Sequence, residues 1–310
     1  MASPKLPLRW GVNLPLPAVA LREHRETVQA MPDLGYSDVW TGEGGVIDAF
    51  TPLAAAAAWQ PRLRVGVGVV PAQTRGTGVL AYTAAGLAEL AGGGVVLGVG
   101  SSVPEHVTTL NGIPHRAPLD TVRRTVGAVR PLLAECGAKV IVGALRPRML
   151  RLAYEEADGA ILNLLTDDDV PEVIAAAGGP FPDRETVVKL FVCPTTDADA
   201  ARRAGRGFLG WILNQEPYQA FHAWRGRGEA LRASSELFAA GDRLRAAQAL
   251  PDELIDRLWL HGSPAELRER ILRYLHPGVT TVVLAVALTP ELAAAPGGLP
   301  RLLAALRPGD

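Results

Sequence analysis

Two segments, Arg62-Leu-Arg-Val-Gly-Val-Gly-Val-Val-Pro71 and Val95-Val-Leu-Gly-Val-Gly-Ser-Ser102, flank an alanine-rich stretch of helical pattern, and their reading decides the fold. Both are continuous apolar runs rather than alternating ones, which is what a parallel strand covered on both faces requires. Their glycines crowd toward the C-terminal end, where a parallel barrel places its active site and where backbone must approach a ligand closely.

Working outward from that pair, strand and helix patterns alternate along the chain. Strands are expected at Arg9–Leu16, Asp38–Gly42, Arg64–Val70, Val95–Gly100, Lys139–Ala144, Gly159–Leu164, Val187–Cys193 and Thr281–Ala287. Helix signals lie between them: Thr51-Pro52 as an N-cap followed by proline, an apolar stripe of Val122, Val126, Val129 and Leu133, and a Ser263-to-Glu266 capping box. Eight strands each followed by a helix predict a (β/α)8 TIM barrel of the α/β class, and a doubly wound open sheet is the competing arrangement. Residues 1–310 are expected to form one domain, with residues 197–257 a helical insertion before the last strand. Trp211, Tyr218, Phe221 and Trp224 in that insertion suit either a lid or dimer contact at the barrel mouth, or plain packing of a helical excursion.

Composition narrows the partners. A net charge of -1 provides no basic face to neutralise phosphates in number, which argues against nucleic acid and for small-molecule ligands. No apolar run reaches membrane-spanning length without Gly, Pro or charge, and the first residues lack the pattern of a signal peptide, so a cytoplasmic protein is expected. Cys136 and Cys193 stand apart and read as buried, reduced thiols. No His/Cys/carboxylate set has metal-ligand spacing, and no Gly-x-Ser-x-Gly elbow occurs, so no metal is expected and serine hydrolase chemistry is disfavoured. Lysine appears only at Lys5, Lys139 and Lys189, a scarcity assigned to a GC-rich genome and to no function.

The ordered series Gly35-Tyr-Ser-Asp-Val-Trp-Thr-Gly-Glu43, Asp48-Ala-Phe50, Gly66-Val-Gly-Val-Val-Pro71, Leu97-Gly-Val-Gly-Ser-Ser102, Gly143-Ala-Leu-Arg-Pro-Arg-Met-Leu-Arg-Leu-Ala153, Ala157-Asp-Gly-Ala-Ile-Leu-Asn163 and Gly262-Ser-Pro-Ala-Glu266 resembles the bacterial luciferase-like family. Within that family the chain is most similar to the oxidoreductases that use the deazaflavin coenzyme F420. The resemblance implies a non-proline cis peptide at Gly68–Val69 behind the flavin ring, although Gly66 and Gly68 also suit simple relief of crowding inside a barrel. It implies that Thr41, Ser101, Ser102 and Ala144 line the cofactor, with His106 near its polar edge. Backbone N–H groups of Leu145 and Arg146, ahead of a helix opened by Pro147, would face a phosphate, with Arg146 or Arg148 adding charge.

Two departures stand out against that pattern. Family members often carry a histidine beside the acidic residue after the second strand, whereas Glu43 is followed here by Gly44 and Gly45. Gly92-Gly93-Gly94 likewise replaces a Gly-Gly-Arg before the fourth strand, which removes an arginine contact. Glu43 is therefore the leading acid–base candidate, with His106 and then Asn13 behind it, and the alternative for Glu43 is a carboxylate that only binds loop amides. His24, His222 and His276 read as helix residues facing solvent or packing. The function implied is F420-dependent hydride transfer to or from a small organic substrate. An FMN-dependent monooxygenase and an inert flavin-binding paralogue are the alternatives. The family is often dimeric, and a homodimer here would use residues 48–59 and 81–90.

Overall fold

A computed structural model describes residues 6–44, 47–109, 111–295 and 297–307. Nine strands run β1 Arg9–Asn13, β2 Asp38–Thr41, β3 Arg64–Pro71, β4 Val95–Gly100, β5 Lys139–Gly143, β6 Gly159–Asn163, β7 Glu185–Cys193, β8 Trp259–His261 and β9 Thr281–Val286. All pairings are parallel, and the order from β6 through β1 to β9 and β7 closes by the β6–β7 pairing into an eight-stranded barrel. This is the TIM barrel expected from the alternation, and each expected strand lies within a residue or three of an observed one. The open-sheet alternative fails because β1 and β9 pair along four residues.

β8 is a strand that the sequence pattern did not reveal. The β6 ladder on β7 ends at Lys189, and β7 continues to Cys193, so an unpaired edge is left at Phe191–Cys193. Trp259–His261 takes that edge, satisfying the exposed N–H and C=O groups. Residues 197–257 hold the helices Ala198–Ile212, Glu216–Trp224, Gly228–Ala239, Arg243–Gln248 and most of Asp252–Leu258, packed round a second apolar cluster that includes Leu209, Leu213, Leu231 and Ile255. Local caps follow the sequence at Ser263, where the capping box forms. At the helix Thr51–Trp59 the capping group is the Asp48 carboxylate, which accepts from the amides of Phe50 and Thr51, and not the Thr51 hydroxyl.

Side chains that alternate inward stack in layers along the barrel axis. The floor layer is ionic. Arg64, the first residue of β3, donates to Asp38 of β2 at 2.8 Å, to Glu185 of β7 at 2.5 Å and to Thr281 of β9 at 3.1 Å. Arg9 adds a bond to Asp38, and Lys139 one to Glu185. Burial alone would push the Glu185 carboxyl up, but the Arg64 guanidinium more than reverses that and holds it below the usual carboxylate range.

The middle layer is apolar: Trp40, Val96, Ile141, Ile161, Val187 and Val283. The Trp40 indole needs the room that Gly66 leaves, since a Cβ there would lie 2.5 Å from its ring. Crowding relief is thus the role of Gly66, and the ligand-facing glycines lie further up. With floor and middle filled, the barrel interior is left open at the C-terminal mouth. Replacing Arg64 by Met should leave the buried Asp38 and Glu185 carboxylates with only the more exposed Arg9 and Lys139, at the rim of the floor, as cationic partners. The expected loss is about 3–5 kcal/mol in denaturant-unfolding stability, or failure to fold.

Candidate active site

The top layer is uneven. On the β3–β5 side the chain is stripped to glycine, and the Val69 side chain lies across it: a Cβ on Gly100 would stand 2.5 Å from Val69 Cγ2, and one on Gly98 2.1 Å from the Val67 carbonyl oxygen. The β3–β4 register shifts between Val67 and Val70, and Gly68–Val69 is the non-proline cis peptide among the described residues. The result is a shelf with Val69 half-buried and facing the mouth, above which β4 and β5 raise no large side chain. On the opposite side β1, β6 and β7 present Asn13, Asn163 and Lys189.

Around the shelf the expected residues fall into two groups. Ser101 and Ser102 follow β4 half-buried, and neither hydroxyl has a protein partner among the described residues. Ser102 sits at φ 57°, a left-handed backbone that favours glycine, so a side chain is kept there at a conformational cost. Ala144 is buried beyond β5, and the amides of Leu145 and Arg146 precede the helix Pro147–Glu155 with no protein acceptor among the described residues. His106 lies in the single wide helical turn Glu105–Thr109, and its Cε1 comes within 3.9 Å of where a Cβ on Gly44 would stand. A histidine from the β4 loop thus stands beside the position where a β2-loop histidine is missing.

Thr41 and Glu43 are otherwise committed. Thr41 is buried and donates its hydroxyl to the Ala49 carbonyl at 2.6 Å. Glu43 accepts from Arg75 at 2.8 Å through one oxygen and from the Ala49 amide at 2.9 Å through the other, so its carboxylate organises the loop at residues 47–50. Its own amide donates to the Val69 carbonyl, which ties the end of β2 to the shelf. Gly45 lies outside the described residues. Gly92, Gly93 and Gly94 precede β4 at the floor end, where Gly93 donates to Pro61, so the arginine missing there has no bearing on the mouth.

Sequence reasoning passed over Lys189. Its Nζ donates to Asn13 Oδ1 at 2.7 Å, and burial lowers its pKa to about 8. The available signal was a single charged residue within the apolar run at residues 187–193. Among the described residues, no group of three or more His, Cys, Asp or Glu side chains is placed to hold a metal, and no helix is long and apolar enough to cross a membrane.

Residues 8–281 match the family model for luciferase-like monooxygenases. The chain belongs to that family. Among curated proteins it is 25% identical to a 5,10-methylenetetrahydromethanopterin reductase of Archaeoglobus fulgidus, over 92% of this chain and 95% of the relative. It is 26% identical to a putative coenzyme F420-dependent oxidoreductase of Mycobacterium tuberculosis, over 89% of this chain and 92% of the relative. Among solved structures, an F420-dependent secondary alcohol dehydrogenase in complex with an F420-acetone adduct superposes with a TM-score of 0.73 at 15% identity, covering 98% of this chain and all of the other.

In this luciferase-like chain the insertion is fastened across the β4, β5 and β6 loops. Trp211 donates to Glu105, Arg146 to Glu216, and Tyr218 to Asn163 Oδ1 at 3.2 Å. The strongest tie is at Asp169, which is buried and accepts from Arg225 at 2.8 Å and from Arg227 at 2.7 Å. Arg227 also donates to His222 Nδ1 at 2.9 Å. The sequence reading left His222 between solvent and packing, and the structure settles on packing: the ring is fully buried. Burial, with the Arg227 charge beside it, lowers the His222 pKa from 6.5 to about 3. The unfolded chain therefore binds a proton across that interval that the folded one refuses. Stability is full above about pH 6.5 and should fall as pH drops, by up to about 1.4 kcal/mol per unit. His222→Gln should flatten the slope, as read from urea unfolding between about pH 7 and about pH 5.

Proposed function

We propose that the protein is an oxidoreductase that uses coenzyme F420 for hydride transfer to or from a small organic substrate held beneath the insertion. The observation that carries this is the Val69 shelf, a flat glycine-backed wall with unpartnered hydroxyls at one edge and unpartnered amides at the next loop. Such a wall fits a planar, phosphorylated cofactor. Of the two curated relatives, the putative F420-dependent oxidoreductase supports the deazaflavin, and the methylenetetrahydromethanopterin reductase supports a reduction.

When bound, the deazaflavin supplies the two-electron chemistry. The chain's own residues do the rest. Gly68 and Val69 back the ring, Ser101 and Ser102 bond its polar edge, and the Leu145 and Arg146 amides take a phosphate. His106 holds a proton beside Gly44, while Glu43 and Arg75 keep the β2 loop in place. The protein works in the cytoplasm, and it pairs as a homodimer through residues 48–59 and 81–90; the exposed apolar side chains Tyr82 and Leu90 on the helix Thr77–Leu90 support the second of these surfaces.

The family's description as luciferase-like monooxygenases favours a second reading, a monooxygenase, for which FMN would be the cofactor. Fluorescence titration separates the two: F420 should bind more tightly than reduced FMN, and replacing both Ser101 and Ser102 by Ala should weaken F420 on the order of tenfold, the loss of two hydrogen bonds. No response to F420 alongside a response to reduced FMN would assign the shelf to FMN. Absence of turnover across alcohol and unsaturated substrates, with F420 bound, would leave an inert cofactor-binding protein.

A further inference from the structure

Inside the barrel, the cations at the floor have carboxylate partners, as does the pair that fastens the insertion, whereas the half-buried Lys189 at the mouth does not. Arg64 has Asp38 and Glu185, and the half-buried Arg225 and Arg227 share Asp169. Lys189 has none among the described residues. Its ammonium carries three N–H donors, and Asn13 Oδ1 accepts one of them at 2.7 Å. On the β2 side a Cβ built on Gly42 would stand 3.8 Å from Nζ, so that wall is stripped to backbone beside the charge. The groups facing it from β1, β6 and the insertion are Asn13, Asn163 and Tyr218, and within its own strand the Phe191 ring lies 5.8 Å away. Of these only Tyr218 can ionise, and burial raises its pKa, so it stays neutral.

A desolvated ammonium without a counter-ion is destabilising, and unpaired charge of this kind is retained where a ligand completes it. We propose that Lys189, steadied by Asn13, anchors the substrate of the reaction proposed above through a negatively charged oxygen, so that the substrate is a small organic carboxylate. The remaining two N–H donors bond the carboxylate across from the Val69 shelf, and Tyr218 and Asn163 close the pocket above it. The ligand supplies the counter-charge that the protein omits, and binding the anion draws a proton onto the amine. Carboxylate affinity therefore falls as pH rises past about 8, where the unliganded amine loses its proton.

Three lysines in the whole chain make the test direct. The full-length protein is acylated with an amine-selective reagent, and modification of each lysine is read by peptide mass spectrometry. Probes are benzoate, benzamide and F420, each added separately. Lys189 labelling should rise through about pH 8, and benzoate but not benzamide should protect it. Lys189→Met should bind benzoate roughly tenfold more weakly by calorimetry, the loss of one charge-assisted pair, while its F420 affinity stays within about twofold of the parent. The same variant should unfold at higher denaturant concentration, since it removes a half-buried charge that has no counter-ion among the described residues. Lys189→Gln serves as the second variant and should lose benzoate equally.

Equal benzoate affinity in both variants and the parent would overturn the anchor. So would protection of Lys189 by F420 and not by benzoate, which would assign the ammonium to the cofactor. Lys189-dependent benzoate binding in a protein that ignores F420 would leave the anchor standing and remove only the cofactor reading.

Discussion

The Arg64 cluster at the barrel floor is the interaction on which the rest depends. One guanidinium spans the first residues of β2, β7 and β9 from β3, so it fixes the relative height of strands that lie far apart in sequence. An ion network buried this deeply contributes little net stability compared with an apolar plug of the same shape. Its effect is on register: parallel strands slide by two residues without exposing their apolar faces, and a fork-shaped donor that must meet two carboxylates permits one alignment. With the floor aligned, Trp40 seats against Gly11 and Gly66, and the mouth is left as the open end.

The mouth inverts the logic of the floor. Below, charge is paired in full; above, the Lys189 ammonium lacks a carboxylate, and the Ser101 and Ser102 hydroxyls and the Leu145 and Arg146 amides lack protein partners among the described residues. Stability and binding are separated along the axis. A barrel tolerates that separation because its closed ladder holds the strands whatever their upper ends carry. The insertion adds a third element, fastened through Asp169, Arg225 and Arg227 so that Tyr218 reaches Asn163 without relying on loop packing alone.

How far the sequence could be read follows from range. Continuous apolar runs such as Val65–Val70 report their own environment, so the strands and their parallel arrangement were legible, as was the capping box at Ser263. The order of the glycine-rich strand ends also pointed to the upper rim. β8 was not legible because Trp259–His261 is too short to carry a period, and it forms only because β7 outruns β6. Thr41 and Glu43 stand at the rim as expected, yet their side-chain groups are spent on Ala49 and Arg75, which a strand-end position does not reveal.

By itself the sequence determined the class of fold, the number of barrel strands and the family, because each rests on patterns within ten or twenty residues or on their order. Only the tertiary structure decided which polar groups are paired. Lys139 and Lys189 are both strand lysines, and folding sets one at the ionic floor beside Glu185 and the other at the mouth beside an amide oxygen. That difference arises because the effect of a charge depends on what closure of the barrel brings within a few ångströms of it, and those neighbours come from the far ends of the chain.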